Sequence, residues 1–196
     1  MNIISSIGYT DEEILKNIIT LHNNGMSFDL DPCYSVGNFY NKTSIDKPKY
    51  KFDILPLDTE VIQADVKCLP IEEIVKSIIF DPPFMFGTHG QTKNNIMNKR
   101  FTMFDSFEEL EFMYKGALKE FNRVLCKKGI VAFKCQDYTD SKSTMTHCLV
   151  HNWAIEFDFY PKDLFILISS RRIYNPLLQQ KHARKFHSYW WVFQKR

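Results

Sequence analysis

No apolar run in this sequence approaches the roughly 20 residues that a helix needs to cross a bilayer; stretches such as Leu164 to Ile168 are far shorter. The first 13 residues lack both a basic flank and a sustained apolar segment, so no signal peptide is expected and the chain is placed in the cytoplasm. Cysteine is missing in any paired form. The five cysteines (Cys33, Cys68, Cys126, Cys135 and Cys148) are odd in number and scattered, with no C-x-x-C among them. That excludes a disulfide framework and a cysteine zinc site, leaving reduced thiols. His147 and His151 have the i, i+4 spacing of a metal pair, but the acid of an H-E-x-x-H pattern is absent between them. They are read as ordinary helix side chains, and no metal is expected. Acidic residues are absent from residues 171–196, which carry Arg171, Arg172, Lys181, Arg184, Lys185, Lys195 and Arg196. A second acid-free stretch, residues 84–104, carries Lys93, Lys99 and Arg100. The net charge of +2 is mild, yet segments of this kind can neutralise phosphates, unless they are simply solvated loops.

What is present describes a globular α/β chain. At 196 residues and 44% hydrophobic content it fits one domain, residues 1–196, with a buried core. An N-terminal helix over about residues 10–25 opens with Thr10 as N-cap and Glu13 three residues on, places Ile14, Leu15, Ile18, Ile19 and Leu21 on one face, and ends at Gly25. Strand character follows at residues 26–30, 50–54, 61–64 and 77–80, each stretch finishing at or beside an aspartate: Asp31, Asp53, Asp65 and Asp81. A long helix is expected over residues 106–125, with Ser106 and Glu109 as a capping box and Lys127-Lys128-Gly129 as its stop. A strand at 130–135, a helix at 141–151, one or two strands over 154–170 interrupted by Pro161, and a last strand at 188–193 complete the pattern. Strands alternating with helices imply a largely parallel, covered sheet whose ligands bind beyond the carboxyl ends of the strands, where the aspartates lie. One connection resists this scheme: residues 55–60 are too few for a crossover helix, so the strands at 50–54 and 61–64 are expected to pair in some other way.

The stretch Ser77-Ile78-Ile79-Phe80-Asp81-Pro82-Pro83-Phe84 carries the most chemistry. Two prolines fix φ and remove two donors, so the loop is stiff and its carbonyls are free to accept. An exocyclic amine is a poor nucleophile because its lone pair is delocalised into the ring. A carboxylate and a neighbouring carbonyl that accept its two N–H bonds favour the pyramidal geometry able to attack. The aromatic at the fourth position can stack on the base. Taken by itself, the tetrapeptide also suits a rigid proline turn after a strand.

Asp81-Pro82-Pro83-Phe84 resembles the catalytic loop of the N6-adenine and N4-cytosine DNA methyltransferases, (Asp/Asn/Ser)-Pro-Pro-(Tyr/Phe/Trp). Asp31-Pro32-Cys33-Tyr34-Ser35-Val36-Gly37-Asn38 is similar to the cofactor loop of that family, D-P-F-x-G-x-G-T. Asp31, Pro32 and Gly37 match, and Ser35 replaces the first glycine. The C-terminal residues 180–193, basic and then aromatic, resemble the ending of small bacterial and phage members, with Trp190 and Trp191 read as core. The resemblance runs from about Met26 to Lys195. It implies a Rossmann-like class I methyltransferase fold, a mostly parallel seven-stranded sheet with a C-terminal antiparallel hairpin. It implies S-adenosylmethionine as cofactor, held by Asp31, Pro32, Gly37, Asp53 on the ribose and Asp65 near the adenine. Catalysis falls to Asp81, Pro82, Pro83 and Phe84, with adenine N6 in DNA as the foremost acceptor, flipped out or single-stranded. Nucleic acid is expected on loops 85–105 and 171–187, through Lys93, Arg100, Lys181, Arg184 and Lys185. RNA bases, protein glutamine, and a catalytically degenerate partner subunit stay open as alternatives, as does a homodimer.

Overall fold

The computed structural model describes residues 3–72, 75–87, 104–139, 142–169 and 181–196. Its strands are β1 (Ile7–Gly8), β2 (Leu30–Asp31), β3 (Tyr50–Asp53), β4 (Ile62–Gln63), β5 (Val75–Phe80), β6 (Leu125–Cys135), β7 (Tyr138–Thr139), β8 (Ser143–Thr144), β9 (Phe159–Ile168) and β10 (His187–Lys195). The helices are α1 (Asp11–His22), α2 (Asn38–Asn41), α3 (Phe107–Val124) and α4 (Thr146–Glu156). Eight strands form one sheet in the order β1-β9-β10-β6-β5-β2-β3-β4, and β7 and β8 form a separate antiparallel pair. From β4 through β6 the pairing is parallel, while β10 runs antiparallel to both β6 and β9. The expected C-terminal hairpin is therefore present. The sheet has one strand more than expected, because β1 pairs in parallel with β9 and covers that edge.

Side chains along the central strands alternate between the two faces, as a period of two requires. Ile78, Phe80, Val131, Phe133, Cys135 and Phe193 pack toward α3 and α4, whereas Ile79, Ile130, Ala132, Trp190 and Val192 pack toward α1 and α2. Helices α1 and α3 are started by their own sequence. The Thr10 side chain caps the Glu13 amide at 3.1 Å, and Ser106 caps that of Glu109 at 3.3 Å. The buried stripe of α3, Leu110, Tyr114, Ala117, Leu118 and Phe121, recurs at helical spacing.

Several expected boundaries move. The Lys127-Lys128-Gly129 stretch lies inside β6, because α3 ends at Val124 and the strand begins at once; Lys128 takes a left-handed φ of 64° there. The helix expected at 141–151 starts later, at Thr146, since Ser143 and Thr144 pair with β7. Ala154 therefore lies on α4, and β9 passes through Pro161 unbroken. Proline, which has no amide to donate, is absorbed at the register shift between Val192 and Phe193 of the partner strand. β3 and β4 are parallel neighbours after all, Phe52 facing Ile62 and Asp53 facing Gln63. The strands overlap by so little that the chain has only about 7 Å to retrace. The connection at residues 54–61 spans that distance without a helix.

Candidate active site

Strand order reverses between β2 and β5: the chain leaves β2 toward β3 and β4, and leaves β5 toward β6. In open α/β sheets the ligand crevice lies at the carboxyl ends of two strands whose connections depart in opposite directions. Asp31 ends β2 and Asp81 follows β5 directly, so both carboxylates stand at that crevice.

Asp31 is only 3% exposed. Its Oδ1 accepts from the Cys33 amide at 3.0 Å and its Oδ2 from the Tyr40 hydroxyl at 2.8 Å. Burial pushes its carboxyl up to about 7; the two hydrogen bonds oppose the rise, and the nearby charges of Asp81 and Asp53 add to it. The turn that follows is folded tightly over the strand ends. Tyr34 stacks on Tyr40 at 5.2 Å, its amide bonds the Phe52 carbonyl, and the Ser35 amide donates to Asp53 Oδ2 at 2.9 Å. Gly37 has φ 68°, and a Cβ there would lie 2.7 Å from the Tyr34 hydroxyl oxygen, so glycine is needed both for conformation and for space. Ser35 also adopts a left-handed φ, 51°, at the position where a glycine was expected. The backbone shape is retained although the residue is not.

Asp53, at the end of β3, accepts from the amides of Ser35 and Leu55, each at 2.9 Å, which leaves lone pairs on both oxygens. Asp65 differs. Both of its oxygens are taken by the Lys67 ammonium, at 2.9 and 2.8 Å, and Oδ1 also accepts the Lys67 amide. Burial works to raise this carboxyl, and the Lys67 contacts outweigh it and hold the group below its usual range.

Around Asp81 the loop is fixed from two sides. Pro82 is buried, and Tyr114 on α3 donates to the Pro83 carbonyl at 2.9 Å. Among the described residues no donor reaches the Pro82 carbonyl. Asp81 Oδ2 lies 3.3 Å from the Lys134 ammonium. Burial raises the Asp81 carboxyl and the Asp11 charge adds to the rise, while Lys134 opposes it. Phe84 is half-buried, and two residues on Phe86 packs against Tyr138 at 4.6 Å and Phe107 at 5.4 Å. Phe104 bonds back to Met85 and Gly87, so the stems of the 85–105 loop close beside the site.

The structure thus gathers Asp31, Pro32, Gly37, Asp53, Asp81, Pro82, Pro83 and Phe84 at one sheet edge. Lys93 and Arg100 lie outside the described residues. Lys181 and Arg184 are exposed and Lys185 is half-buried; they enter β10, whose first residues pair with the carboxyl end of β6 and so emerge at the same edge. Among the described residues, no group of three His, Cys, Asp or Glu side chains could hold a metal ion, and no helix is long and apolar enough to cross a membrane. Four contributors escaped the sequence reading: Tyr40, Tyr114, Asp11 and Lys134. Only Lys134 carries a visible signal, as a lone cation in the apolar strand Ile130-Val131-Ala132-Phe133-Lys134-Cys135.

No protein-family model matches the sequence, and no curated protein matches it. Among solved structures the chain is similar to TrmN from Thermus thermophilus, with a TM-score of 0.55 and 17% identity over 96% of this chain and 50% of that one. It is also similar to the N-methyltransferase NodS from Bradyrhizobium japonicum in complex with S-adenosyl-L-homocysteine, with a TM-score of 0.51 and 12% identity over 93% and 86%. An S-adenosylmethionine-dependent methyltransferase from Clostridium acetobutylicum gives a TM-score of 0.52 and 10% identity over 95% and 92%. The chain spans half the length of the TrmN chain. These likenesses show the fold, the mixed α/β sheet of S-adenosylmethionine-dependent methyltransferases.

Proposed function

We propose that this chain is an S-adenosylmethionine-dependent methyltransferase whose acceptor is an exocyclic amine of a nucleic-acid base, with adenine N6 in DNA as the foremost candidate. The observation that carries the reading is the pairing, at the switch point of this fold, of a half-buried Asp81 on a proline-stiffened loop with a buried Asp31 under a left-handed turn. When bound, the cofactor supplies an electrophilic methyl group on a sulfonium. Asp31 has acceptor capacity for its methionine ammonium, Pro32 and Gly37 shape the backbone that lies against it, and Asp53 has lone pairs for ribose hydroxyls. Asp65 fits less readily, since Lys67 already occupies both of its oxygens.

Asp81 and the Pro82 carbonyl would accept the two N–H bonds of the amine and turn its lone pair toward the methyl group. The proton freed on transfer would pass to Asp81 or to solvent. Phe84 would stack on the base, and the Lys181, Arg184 and Lys185 segment, with Lys93 and Arg100, would hold phosphates. Ser35 is the reason to consider a catalytically degenerate partner subunit; its retained left-handed conformation favours a working cofactor turn. The test is calorimetric titration with S-adenosylmethionine, then transfer of labelled methyl to single- and double-stranded DNA, to RNA and to protein. One-to-one binding with label on a base amine is expected. Absence of binding heat rules out the enzyme, and label only on protein glutamine moves the acceptor.

A further inference from the structure

We infer that Lys134 is a positioning residue of this site, its buried ammonium fixing both the orientation and the charge of the Asp81 carboxylate and tying that carboxylate to the start of α1. The inference rests on the reading of Asp81 as the group that accepts the substrate amine.

Lys134 occupies a strand whose neighbours Val131, Ala132, Phe133 and Cys135 are all fully buried, and its own side chain is 11% exposed. An ammonium in such a place is retained only where it is paired. It has two partners, Asp11 Oδ1 at 3.0 Å and Asp81 Oδ2 at 3.3 Å, and it lies 5.3 Å from the ring centres of both Phe39 and Trp190. Burial works against its charge, yet the two carboxylates prevail and hold it above its usual range. Asp11 is in turn fixed by the Trp190 indole N–H at 3.0 Å.

Among the described residues, the groups facing Asp81 come from every element packed around it. They are Lys134 from β6, Asp11 from α1, Asp31 and Cys33 from β2 and its turn, Tyr40 from α2 and Tyr114 from α3. Lys134 alone among them is a cation. With Oδ2 committed to it, Oδ1 remains for the amine, and the carboxylate cannot rotate away without abandoning its counter-charge. An ion bridge that served stability alone would tie α1 to the sheet and leave the acid limb of transfer unmoved.

The test follows the Asp81 carboxyl directly by carbon-13 NMR, assigned with Asp81→Asn, alongside single-turnover transfer and cofactor affinity. In Lys134→Met the Asp81 midpoint should rise by about one pH unit or more. The acid limb of transfer should move with it by the same interval, so that the rate at a pH below both midpoints falls about tenfold or more, with cofactor affinity within about threefold. In Asp11→Asn, which removes a like charge and leaves Lys134 wholly to Asp81, the midpoint should fall. An unmoved midpoint in folded Lys134→Met overturns the inference; if that variant does not fold, an unmoved midpoint in Asp11→Asn does so. Midpoints that move as stated, in a protein that methylates no base, support the bridge and overturn the reading of a base amine as the acceptor instead.

Discussion

Cofactor affinity should depend on pH through Asp31. With its carboxyl pushed up to about 7 by burial, the free protein would carry this group about 1% ionised at pH 5 and about half ionised at pH 7. A methionine ammonium beside it favours the ionised form, so binding below pH 7 must expel the proton. Affinity for S-adenosylmethionine should therefore rise about 50-fold from pH 5 to pH 7, and near pH 6 about 0.9 proton should leave per cofactor bound. The same shift sets a stability trend. Because the folded pKa lies above the ordinary value of 3.8, the native chain keeps a proton that the unfolded chain has lost between those limits. This group's contribution accordingly declines as pH rises through that window, by at most about 4 kcal/mol. Calorimetry in two buffers of different ionisation enthalpy counts the proton. Asp31→Asn cannot ionise, so it should bind more weakly at pH 7 and lose the pH dependence. A flat affinity without proton release, or an unchanged dependence in the variant, refutes the assignment of Asp31 to the ammonium.

Ser35→Gly should stabilise the protein by about 0.5–1 kcal/mol, raising Tm by about 1–4 °C, because it relieves a left-handed conformation at the cost of some chain entropy; a lowered Tm would show that no strain resides there. Asp81→Ala should abolish methyl transfer while leaving cofactor affinity nearly intact, which calorimetry beside a transfer assay checks, and retained activity would remove Asp81 from catalysis. Replacing Lys181, Arg184 and Lys185 together by alanine should weaken binding to every oligonucleotide alike and reduce the slope of log affinity against log salt by roughly 0.7 to 0.9 for each phosphate no longer neutralised. A folded triple variant with an unchanged slope rules that surface out.

Sequence reading succeeded where local chemistry decides. Thr10 and Ser106 mark helix starts because a side-chain oxygen reaches an orphan amide two or three residues away, which needs no knowledge of the fold. The aspartates at strand ends were visible because apolar runs stop where the chain leaves the sheet. The β3–β4 pairing was misread because a general minimum for crossovers assumes strands of ordinary length, and here the overlap is two residues. Tyr40, Tyr114, Asp11 and Lys134 were missed for a different reason: each meets its partner through tertiary packing, Lys134 reaching Asp81 across 53 positions and Tyr114 reaching Pro83 across 31. No spacing rule encodes such pairings.

The division of charge around the crevice bears on how a polynucleotide would use it. Asp31, Asp53 and Asp81 make the interior acidic, offset among the described residues by the ammonium of Lys134, which is itself shared with Asp11. An acidic interior suits a cofactor that brings two positive centres, and it repels phosphates. The Lys181, Arg184 and Lys185 segment emerges at the same sheet edge without any acidic residue in its sequence. On the proposed reading the two fields sort the substrate by parts: the rim holds the backbone, and only the uncharged base can enter. This geometry favours a base that is flipped out or already single-stranded, since one held in a duplex would draw its phosphates toward the carboxylates. Single-stranded oligonucleotides should therefore be methylated faster than the same sequence as a duplex, with the gap narrowing when the target is mispaired. Equal rates on all three, under single-turnover conditions, would mean that unstacking costs nothing here and that charge does not sort the substrate.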